Sequence, residues 1–256
     1  MPRSARLRRG IYLLPTVFTV ANLFCGFYSL VLTFRGEIER ASMLLIVAAV
    51  LDGLDGRIAR LTGTTSPFGK EFDSLADIVS FGVAPALLVY HWSLVPLGRA
   101  GWLVAFLFVV CAAMRLARFN IQAGAADKRY FAGLPSPSAG GSVACLSYAF
   151  PGPPGERWVA VAVALLVTTL GLLMVSRFRY PSFKGLGLRN RRSYLYVLPL
   201  AATVVGIAVA PAPVMLAVAG LYLVSGPAAY VWGAWQAKSL LPQRRSESVV
   251  DEPLLR

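Results

Sequence analysis

Four of the six aspartates in this 256-residue chain lie within one 26-residue stretch, at positions 52, 55, 73 and 77. The first two are three residues apart and the last two are four apart, spacings that place each pair on one face of a helix. A short turn at 62–69 separates the pairs, so two antiparallel helices would bring all four carboxylates together. Four clustered negative charges repel one another unless a cation lies among them. The spacing therefore predicts a site for hard divalent cations such as Mg²⁺, together with a phosphate-bearing substrate.

Small and basic residues between the aspartates support this interpretation. Gly56 and Ala59 follow Asp52 by four and seven residues and keep that helix face bare, so a bulky ligand can approach the backbone. Arg60 follows directly and can form two hydrogen bonds with a phosphate. Gly69, four residues before the third aspartate, again leaves room. Single aspartates often only cap helix ends, but four of them in register with these residues favour a ligand site.

The composition indicates that the aspartates lie on helices of a membrane protein. Hydrophobic residues make up 57% of the chain and charged residues only 14%, against roughly 25% charged in an ordinary soluble domain. The mean hydropathy is +0.63. Apolar runs of about 20 residues recur, which is the length that spans the bilayer core, and they lack the alternation of membrane strands. We therefore expect an all-α polytopic membrane protein.

The apolar runs predict about eight transmembrane helices. Their expected ranges are 11–34, 41–61, 73–95, 100–120, 134–150, 157–176, 194–210 and 213–236. Basic residues concentrate in the N-terminal segment, in the connections after the second, fourth and sixth helices, and in the C-terminal tail, whereas the alternate connections are nearly neutral. Since Lys and Arg mark cytoplasmic loops, we expect a multi-pass protein of the cell (inner) membrane with both termini and the aspartates on the cytoplasmic side.

Other features of the composition exclude several kinds of function. The net charge of +13 follows from this topology, and no soluble basic module suggests a nucleic-acid partner. The three cysteines lie far apart inside apolar runs, and His91 is the only histidine. Neither a disulfide framework nor a histidine-based catalytic or metal site is expected.

The aspartates belong to a longer pattern, Asp-x2-Asp-Gly-x2-Ala-Arg-x8-Gly-x3-Asp-x3-Asp. Its eight fixed positions are filled without a gap by Asp52, Asp55, Gly56, Ala59, Arg60, Gly69, Asp73 and Asp77. This pattern resembles the signature of the CDP-alcohol phosphatidyltransferases, in which an alcohol attacks a CDP-linked lipid and CMP leaves. The resemblance implies that the four aspartates bind two divalent ions, Mg or Mn, and that Asp77 is also the general base. It further implies that Gly56, Arg60 and Ser66 contact the CDP group.

The resemblance also implies a division of the chain and a homodimer. A six-helix catalytic core would occupy 11–176, after a basic interfacial segment at 1–10. A basic cytoplasmic connection at 177–193 would lead to two additional helices within 194–236 and a polar tail at 237–256.

The wider sequence resembles one branch of this family, the bacterial membrane-type phosphatidylserine synthases. The segments that carry the likeness are TVANLFCGFYSL, LDGLDGRIARLT, DIVSFGVAPALLVY, RLARFN and YFAGLPSPSAG. The resemblance implies CDP-diacylglycerol and L-serine as substrates. Thr16 departs from the branch, which more often has Asn there, whereas Thr19 and Asn22 are candidates to line the CDP-lipid pocket. Packing between membrane helices explains those two residues equally well.

Serine carries a carboxylate that an arginine can bind with two hydrogen bonds. Arg115 and Arg118 lie at the cytoplasmic end of the fourth predicted helix, with Asn120 just beyond. These residues are the candidate serine site, with Arg118 preferred, and the alternative is that they only mark the cytoplasmic side. Ser136 and Ser138 are further candidates, although helix packing is the preferred explanation for them.

Two other functions remain open from the sequence. The same chemistry with glycerol 3-phosphate or an inositol phosphate as acceptor would need additional basic residues. An ion-coupled transporter would place its carboxylates near mid-membrane on several helices, unlike this cluster at one cytoplasmic turn. Membrane lipids are expected partners in each case, since anionic headgroups are attracted to the basic connection at 177–192.

Overall fold

A computed structural model describes residues 3–62, 66–122, 130–181 and 194–247. Within these ranges the chain forms eight helices, each overlapping one predicted span. They are α1 Arg3–Phe34, α2 Ile38–Thr62, α3 Pro67–Leu97, α4 Arg99–Gln122, α5 Ser136–Ala149, α6 Arg157–Val175, α7 Tyr194–Val209 and α8 Pro211–Glu247. Five of them, α1, α3, α4, α6 and α8, are long and apolar enough to cross a membrane. The prediction of an all-α polytopic membrane protein is confirmed.

Three helices extend several residues beyond the predicted spans. Helix α3 begins at Pro67, inside the turn expected at 62–69, and not at 73. Helix α1 already begins at Arg3, and α8 continues to Glu247, whereas apolarity predicted a start at 11 and an end at 236. The basic N-terminal segment and part of the expected polar tail are therefore helical. Hydropathy marks the part of a helix that fits the hydrocarbon core, but the backbone hydrogen bonds continue past that boundary.

A small β-ribbon lies between the helices and was not predicted. Strand β1, Tyr130–Ala132, pairs antiparallel with β2, Arg179–Pro181, so that Phe131 lies opposite Tyr180. Three-residue strands are too short to show the period-two pattern by which strands are recognised. Gly133 turns the chain after β1 with a φ of +82°, a conformation that favours glycine. The ribbon joins the connection after α4 to the connection after α6.

Helix α3 contains two turns of π-helix, at Ile78–Val83 and Tyr90–Leu94, where the sequence predicted a regular helix. Ser66 caps its first turn by accepting a hydrogen bond from the Gly69 backbone at 3.0 Å, and Pro67 occupies the first helical position. The first π-turn follows Asp77 directly. Such wider turns occur often at functional sites because they shift the direction of neighbouring side chains.

Small and hydroxyl-bearing residues bring α1, α2, α3 and α5 close together. A Cβ atom at Gly26 would lie 2.8 Å from Ser80 Cα, so α1 crosses α3 at a point where only glycine fits. Ser29 donates to the Ala41 carbonyl between α1 and α2 at 2.9 Å. The hydroxyls of Ser42 and Ser147 lie 2.7 Å apart between α2 and α5. Close packing and interhelical hydrogen bonds are the main forces between helices in lipid, and both are used here.

The last two helices are more loosely attached. Helix α7 packs against α8, and α8 contacts α5 and β2. Both present large apolar side chains at their surfaces. Among them are Leu198, Val204, Val209, Leu221, Val224 and Trp232. Such surfaces are suited to contact with lipid.

Candidate active site

Three of the four aspartates converge where the end of α2 meets the start of α3. Carboxylate oxygens of Asp52, Asp55 and Asp73 all lie within 4.8 Å of one another. Asp55 is buried, with 4% of its surface exposed, and the other two are half-buried. The spacing in the sequence therefore predicted the convergence correctly for these three residues.

Asp77 lies one helical turn beyond Asp73 and is also buried, with 8% of its surface exposed. It is not part of the group within 4.8 Å, so the structure places it beside the three carboxylates. Asp52, Asp73 and Asp55 still repel it electrostatically. This position separates Asp77 from the group that could share one cation.

Helix α1 orients two of the carboxylates through buried polar side chains. The Thr19 hydroxyl donates to Asp55 Oδ2 at 3.1 Å, and the Asn22 amide donates to Asp77 Oδ1 at 3.4 Å. Thr19 is 5% exposed and Asn22 is fully buried. The sequence predicted these two residues as part of a CDP-lipid pocket, and the structure brings them to the carboxylates.

The donor set fits a divalent cation. Asp73 Oδ1 is buried without a hydrogen-bond partner in the part of the chain that the structure describes, and such an atom is costly unless a cation or ligand satisfies it. Three carboxylates clustered at a membrane-helix end also repel one another. Hard cations such as Mg²⁺ and Mn²⁺ prefer oxygen ligands of this kind.

Candidate CDP-binding residues lie beside this cluster. Gly56 directly follows Asp55 and is half-buried, and Gly69 is half-buried in the first turn of α3. Ser66 is exposed at the tip of the same turn, where it caps α3. The side chain of Arg60 lies outside the described residues.

Arg115 occupies the interior beside Asp77. It is 9% exposed, and its Nη1 donates to the Ser136 hydroxyl at 2.7 Å. The guanidinium attracts the carboxylates of Asp77 and Asp52, and it lies 5.6 Å from the centre of the Phe119 ring. A guanidinium has five N–H donors in a fixed fork, so Arg115 can bind an anionic group of a substrate in addition to these partners.

Arg118 and Asn120 contact neighbouring helix ends. Arg118 Nη1 lies 3.3 Å from the Val175 carbonyl and 3.4 Å from that of Ser176, so it caps the C-terminus of α6. The Asn120 amide donates to the Ser74 hydroxyl at 2.9 Å and thereby ties α4 to α3. The serine-binding role expected for both residues stays a prediction. Of the two arginines, the structure places Arg115, and not the preferred Arg118, beside Asp77.

One residue near Arg115 was missed by sequence reasoning. Tyr222 of α8 is hydrogen-bonded to Ser138 of α5 and interacts electrostatically with Arg115. A single tyrosine in an apolar helix is common at membrane interfaces, so nothing in the local sequence distinguished it. Only the docking of α8 against α5 reveals its position.

A comparison of the sequence with known protein families agrees with the geometry of the carboxylate cluster. A model of the CDP-alcohol phosphatidyltransferase family matches residues 12–175, and the chain belongs to this family. The matched region contains the four aspartates, Thr19, Asn22 and Arg115, but neither β2 nor α7 and α8.

Similar proteins extend the likeness beyond that region. The chain is 40% identical over 221 residues to the CDP-diacylglycerol–serine O-phosphatidyltransferase of Helicobacter pylori (strain ATCC 700392 / 26695), which covers 84% of this chain and 90% of that protein. It is 33% identical over 182 residues to the Bacillus subtilis (strain 168) protein of the same name, covering 70% and 96%. The archaetidylserine synthase of Methanothermobacter thermautotrophicus (strain Delta H) is 36% identical over 176 residues, covering 68% and 72%.

Proposed function

We propose that this enzyme transfers the phosphatidyl group of CDP-diacylglycerol to L-serine and releases CMP. The observation that carries the proposal is the convergence of the Asp52, Asp55 and Asp73 carboxylates within 4.8 Å, with all eight positions of the family signature filled. The names of the similar proteins support serine as the acceptor. The buried Arg115 supplies a positive charge that suits a carboxylate-bearing acceptor.

The reaction is a substitution at phosphorus. The serine hydroxyl oxygen forms a bond to the phosphatidyl phosphorus, the bond from that phosphorus to the bridging oxygen breaks, and CMP leaves with that oxygen. The hydroxyl proton must be removed during the attack because a neutral hydroxyl is a weak nucleophile. Asp77 takes this proton in our proposal. Asn22 holds its Oδ1, which fixes the orientation of the carboxylate.

Asp52, Asp55 and Asp73 would hold the divalent metal, and Asp77 would complete the ligands if two ions bind, as the family resemblance implies. Mg²⁺ or Mn²⁺ bound there supplies neutralisation of the pyrophosphate charge and of the departing CMP. Thr19 fixes the Asp55 carboxylate through its 3.1 Å hydrogen bond. Gly56, Gly69, Ser66 and Arg60 are proposed to surround the CDP group.

We place the active site on the cytoplasmic side of the cell (inner) membrane. The first turns of α3 and the last turns of α4 lie at one end of the bundle, where Lys70 Nζ donates to the Asn120 carbonyl at 3.2 Å. The β1–β2 pairing brings the connection after α6 to the connection after α4. Basic loops that share one end of the bundle support a common cytoplasmic location. The Phe68→Cys variant places a thiol at an exposed position. We expect a thiol reagent to label this position only when the reagent reaches the cytoplasmic face.

The exposed apolar surfaces of the helices indicate two further partners, membrane lipids and a second copy of the chain. The exposed apolar side chains of α1, α4, α7 and α8 must contact lipid or a second copy of the chain, and we propose a homodimer embedded in lipid, as the family resemblance implies. A measured mass of one chain in detergent and after cross-linking in vesicles would contradict the dimer.

The function is tested by incubating the purified protein with CDP-diacylglycerol, a divalent cation and one acceptor at a time. CMP release and the lipid product are measured with L-serine, glycerol 3-phosphate and an inositol phosphate. With the wild-type protein, we expect a phospholipid product only when L-serine is the acceptor, and this product contains serine. We expect no product from Asp73→Asn. A phospholipid product only with another acceptor would reject serine but keep the transferase chemistry. If no CMP is released with any of the three acceptors, the proposal is contradicted.

A further inference from the structure

The buried arginine of α4 is held by a serine at the beginning of α5. Arg115 Nη1 donates to the Ser136 hydroxyl at 2.7 Å. The Ser136 side chain has no exposed surface, and Arg115 is 9% exposed. This contact uses one of the five N–H donors that a guanidinium carries in a fixed fork. A single hydroxyl therefore fixes the direction in which the rest of the fork points.

The packing of α5 on α3 places Ser136 at the level of Asp77. A Cβ atom at Gly140 would lie 3.1 Å from Phe81 Cα, so the two helices are in close contact there. Both helices run in the same direction, because Trp92 near the end of α3 donates to a carbonyl just after α5 at 2.8 Å. Ser136 precedes Gly140 by about one turn, as Asp77 precedes Phe81. Both side chains therefore lie one turn closer to the same end of the bundle.

The packing of α4 on α3 brings the arginine to that level as well. A Cβ atom at Gly82 would lie 3.4 Å from Ala112 Cβ. Helix α4 runs opposite to α3, since Asn120 near its end donates to Ser74 near the start of α3 at 2.9 Å. Arg115 follows Ala112 by three residues, toward this end. Helix packing therefore places the arginine and its serine partner beside the buried carboxylate that we propose as the base.

Backbone contacts fix the position of Ser136. The Gly133 N–H donates to the Phe178 carbonyl at 2.8 Å, and the Leu134 N–H donates to the Leu173 carbonyl at 3.0 Å. These two bonds attach the residues before α5 to the end of α6 and the connection after it. The first residue of α5 is therefore held in place by the fold, without any contribution from a substrate.

We infer that Ser136 is a positioning residue of the acceptor site, which holds the Arg115 guanidinium so that its remaining donors bind the carboxylate of serine. This inference rests on the proposed function. Because Ser136 is completely buried, it acts through the arginine and does not touch the acceptor. A long side chain that is already fixed loses less rotamer freedom when a ligand binds. The direction of the fork also decides whether two N–H groups reach the same carboxylate.

Ser136→Ala is the decisive variant because it removes only the hydroxyl. We expect the KM for L-serine to rise about fivefold, as for one lost hydrogen bond. The KM for CDP-diacylglycerol and the kcat at saturating serine should stay within about twofold of wild type, since other residues bind the donor and take the proton. Ser142→Ala is the matched control, because this hydroxyl of the same helix donates to the Ser138 carbonyl at 2.7 Å. It should leave both KM values unchanged.

A double variant shows whether the serine acts through the arginine. In the Arg115→Ala background, adding Ser136→Ala should change the serine KM by less than about twofold, because the partner that it positions is gone. Ser136→Cys keeps nearly the same volume with a weak acceptor and should also raise the serine KM, so it supplies the measurement if Ser136→Ala does not fold in detergent.

Three results would overturn the inference. They are an unchanged serine KM in the single variants, an equal rise in both KM values, and a further full rise of the serine KM in the double variant. All three are measured on a wild-type protein that makes a serine-containing lipid. A wild-type protein that makes none contradicts the proposed function itself, so the two failures are distinguishable.

Discussion

Two helix pairs in this protein differ in the kind of side chain that they bury and expose. The α2–α3 pair carries four aspartates at its meeting point, and Asp55 and Asp77 are almost fully buried there. The α7–α8 pair is apolar over most of its length and exposes large side chains at its surface. Buried carboxylates in a membrane protein are costly and mark a functional site, whereas exposed apolar side chains only match the surrounding lipid.

The contacts that hold the two helix pairs against the rest of the protein differ as well. Hydrogen bonds from α1 hold the carboxylates of the α2–α3 pair, through Thr19 to Asp55 and through Asn22 to Asp77. The polar contact of α8 with the core depends on Tyr222 and on the fit of Tyr180 against Gly226. The first arrangement resists local change because several helices share it. The second is sensitive to how one helix docks. The predictions below break the first arrangement one contact at a time.

The largest effect is expected when one carboxylate of the α2–α3 pair is neutralised. Asp52→Asn, Asp55→Asn and Asp73→Asn should each lower kcat by about 10³-fold or more, because each removes a charged group that stabilises the transition state. Activity is measured across a titration of Mg²⁺ and Mn²⁺, with folding checked in detergent. Glu39→Gln, exposed at the other end of α2, is the control and should retain activity. Near-normal turnover in any of the three aspartate variants would show that the cluster is misassigned.

The next effect concerns the bare helix face beside the carboxylates. Gly56→Leu should raise the KM for CDP-diacylglycerol by about 10²-fold, because the added side chain would displace the donor from its reactive position. Gly53→Leu adds the same side chain on the exposed side of α2, where a Cβ atom meets nothing within 4 Å, and should change this KM little. Equal donor KM values for both variants would mean that the donor approaches from another direction.

Much of the α2–α3 pair could be predicted from the sequence. Charged residues are so rare within the apolar runs that four aspartates at helical spacing stand out, and the eight-position signature fixes their identity. The helix positions followed from the length of the apolar runs. Asp77 was only partly predicted, because helical spacing places it on the face of Asp73 but does not show that it lies outside the group within 4.8 Å.

The contribution of the C-terminal helices was not predictable in the same way. Tyr222 and Gly226 are ordinary residues of an apolar helix, and both contact Tyr180 of β2, which is remote in sequence. The π-turns of α3 were not predicted either. One of them contains Ser80, which lies against Gly26 of α1. Local patterns predict helices and clustered charges, but they do not show which helix faces meet.

Substituting the two arginines of α4 one at a time tests which of them binds the acceptor. Arg115→Ala should raise the KM for L-serine by about one to two powers of ten, as expected for a lost contact between charged groups. Arg115→Lys should rescue only part of this, since a single ammonium cannot reproduce the two-pronged guanidinium. Arg118→Ala should instead lower the melting temperature by weakening the cap of α6, with a smaller change in serine KM. The reverse pattern, with serine KM controlled by Arg118, would support the sequence expectation against the geometric one.

The smallest effect should arise from the support that α1 gives to the cluster. Thr19→Val keeps the shape of the side chain but removes the hydrogen bond to Asp55 Oδ2. Partners that orient a metal-binding carboxylate typically contribute at least tenfold to metal affinity. The Mg²⁺ concentration for half-maximal activity should therefore rise about tenfold, with kcat recovering at saturating metal. Thr33→Val is the matched control, because the Thr33 hydroxyl is buried in the same helix but donates only to the Ser29 carbonyl. If both variants shift the metal requirement equally, the effect comes from α1 packing and the carboxylate cluster is positioned without help from Thr19.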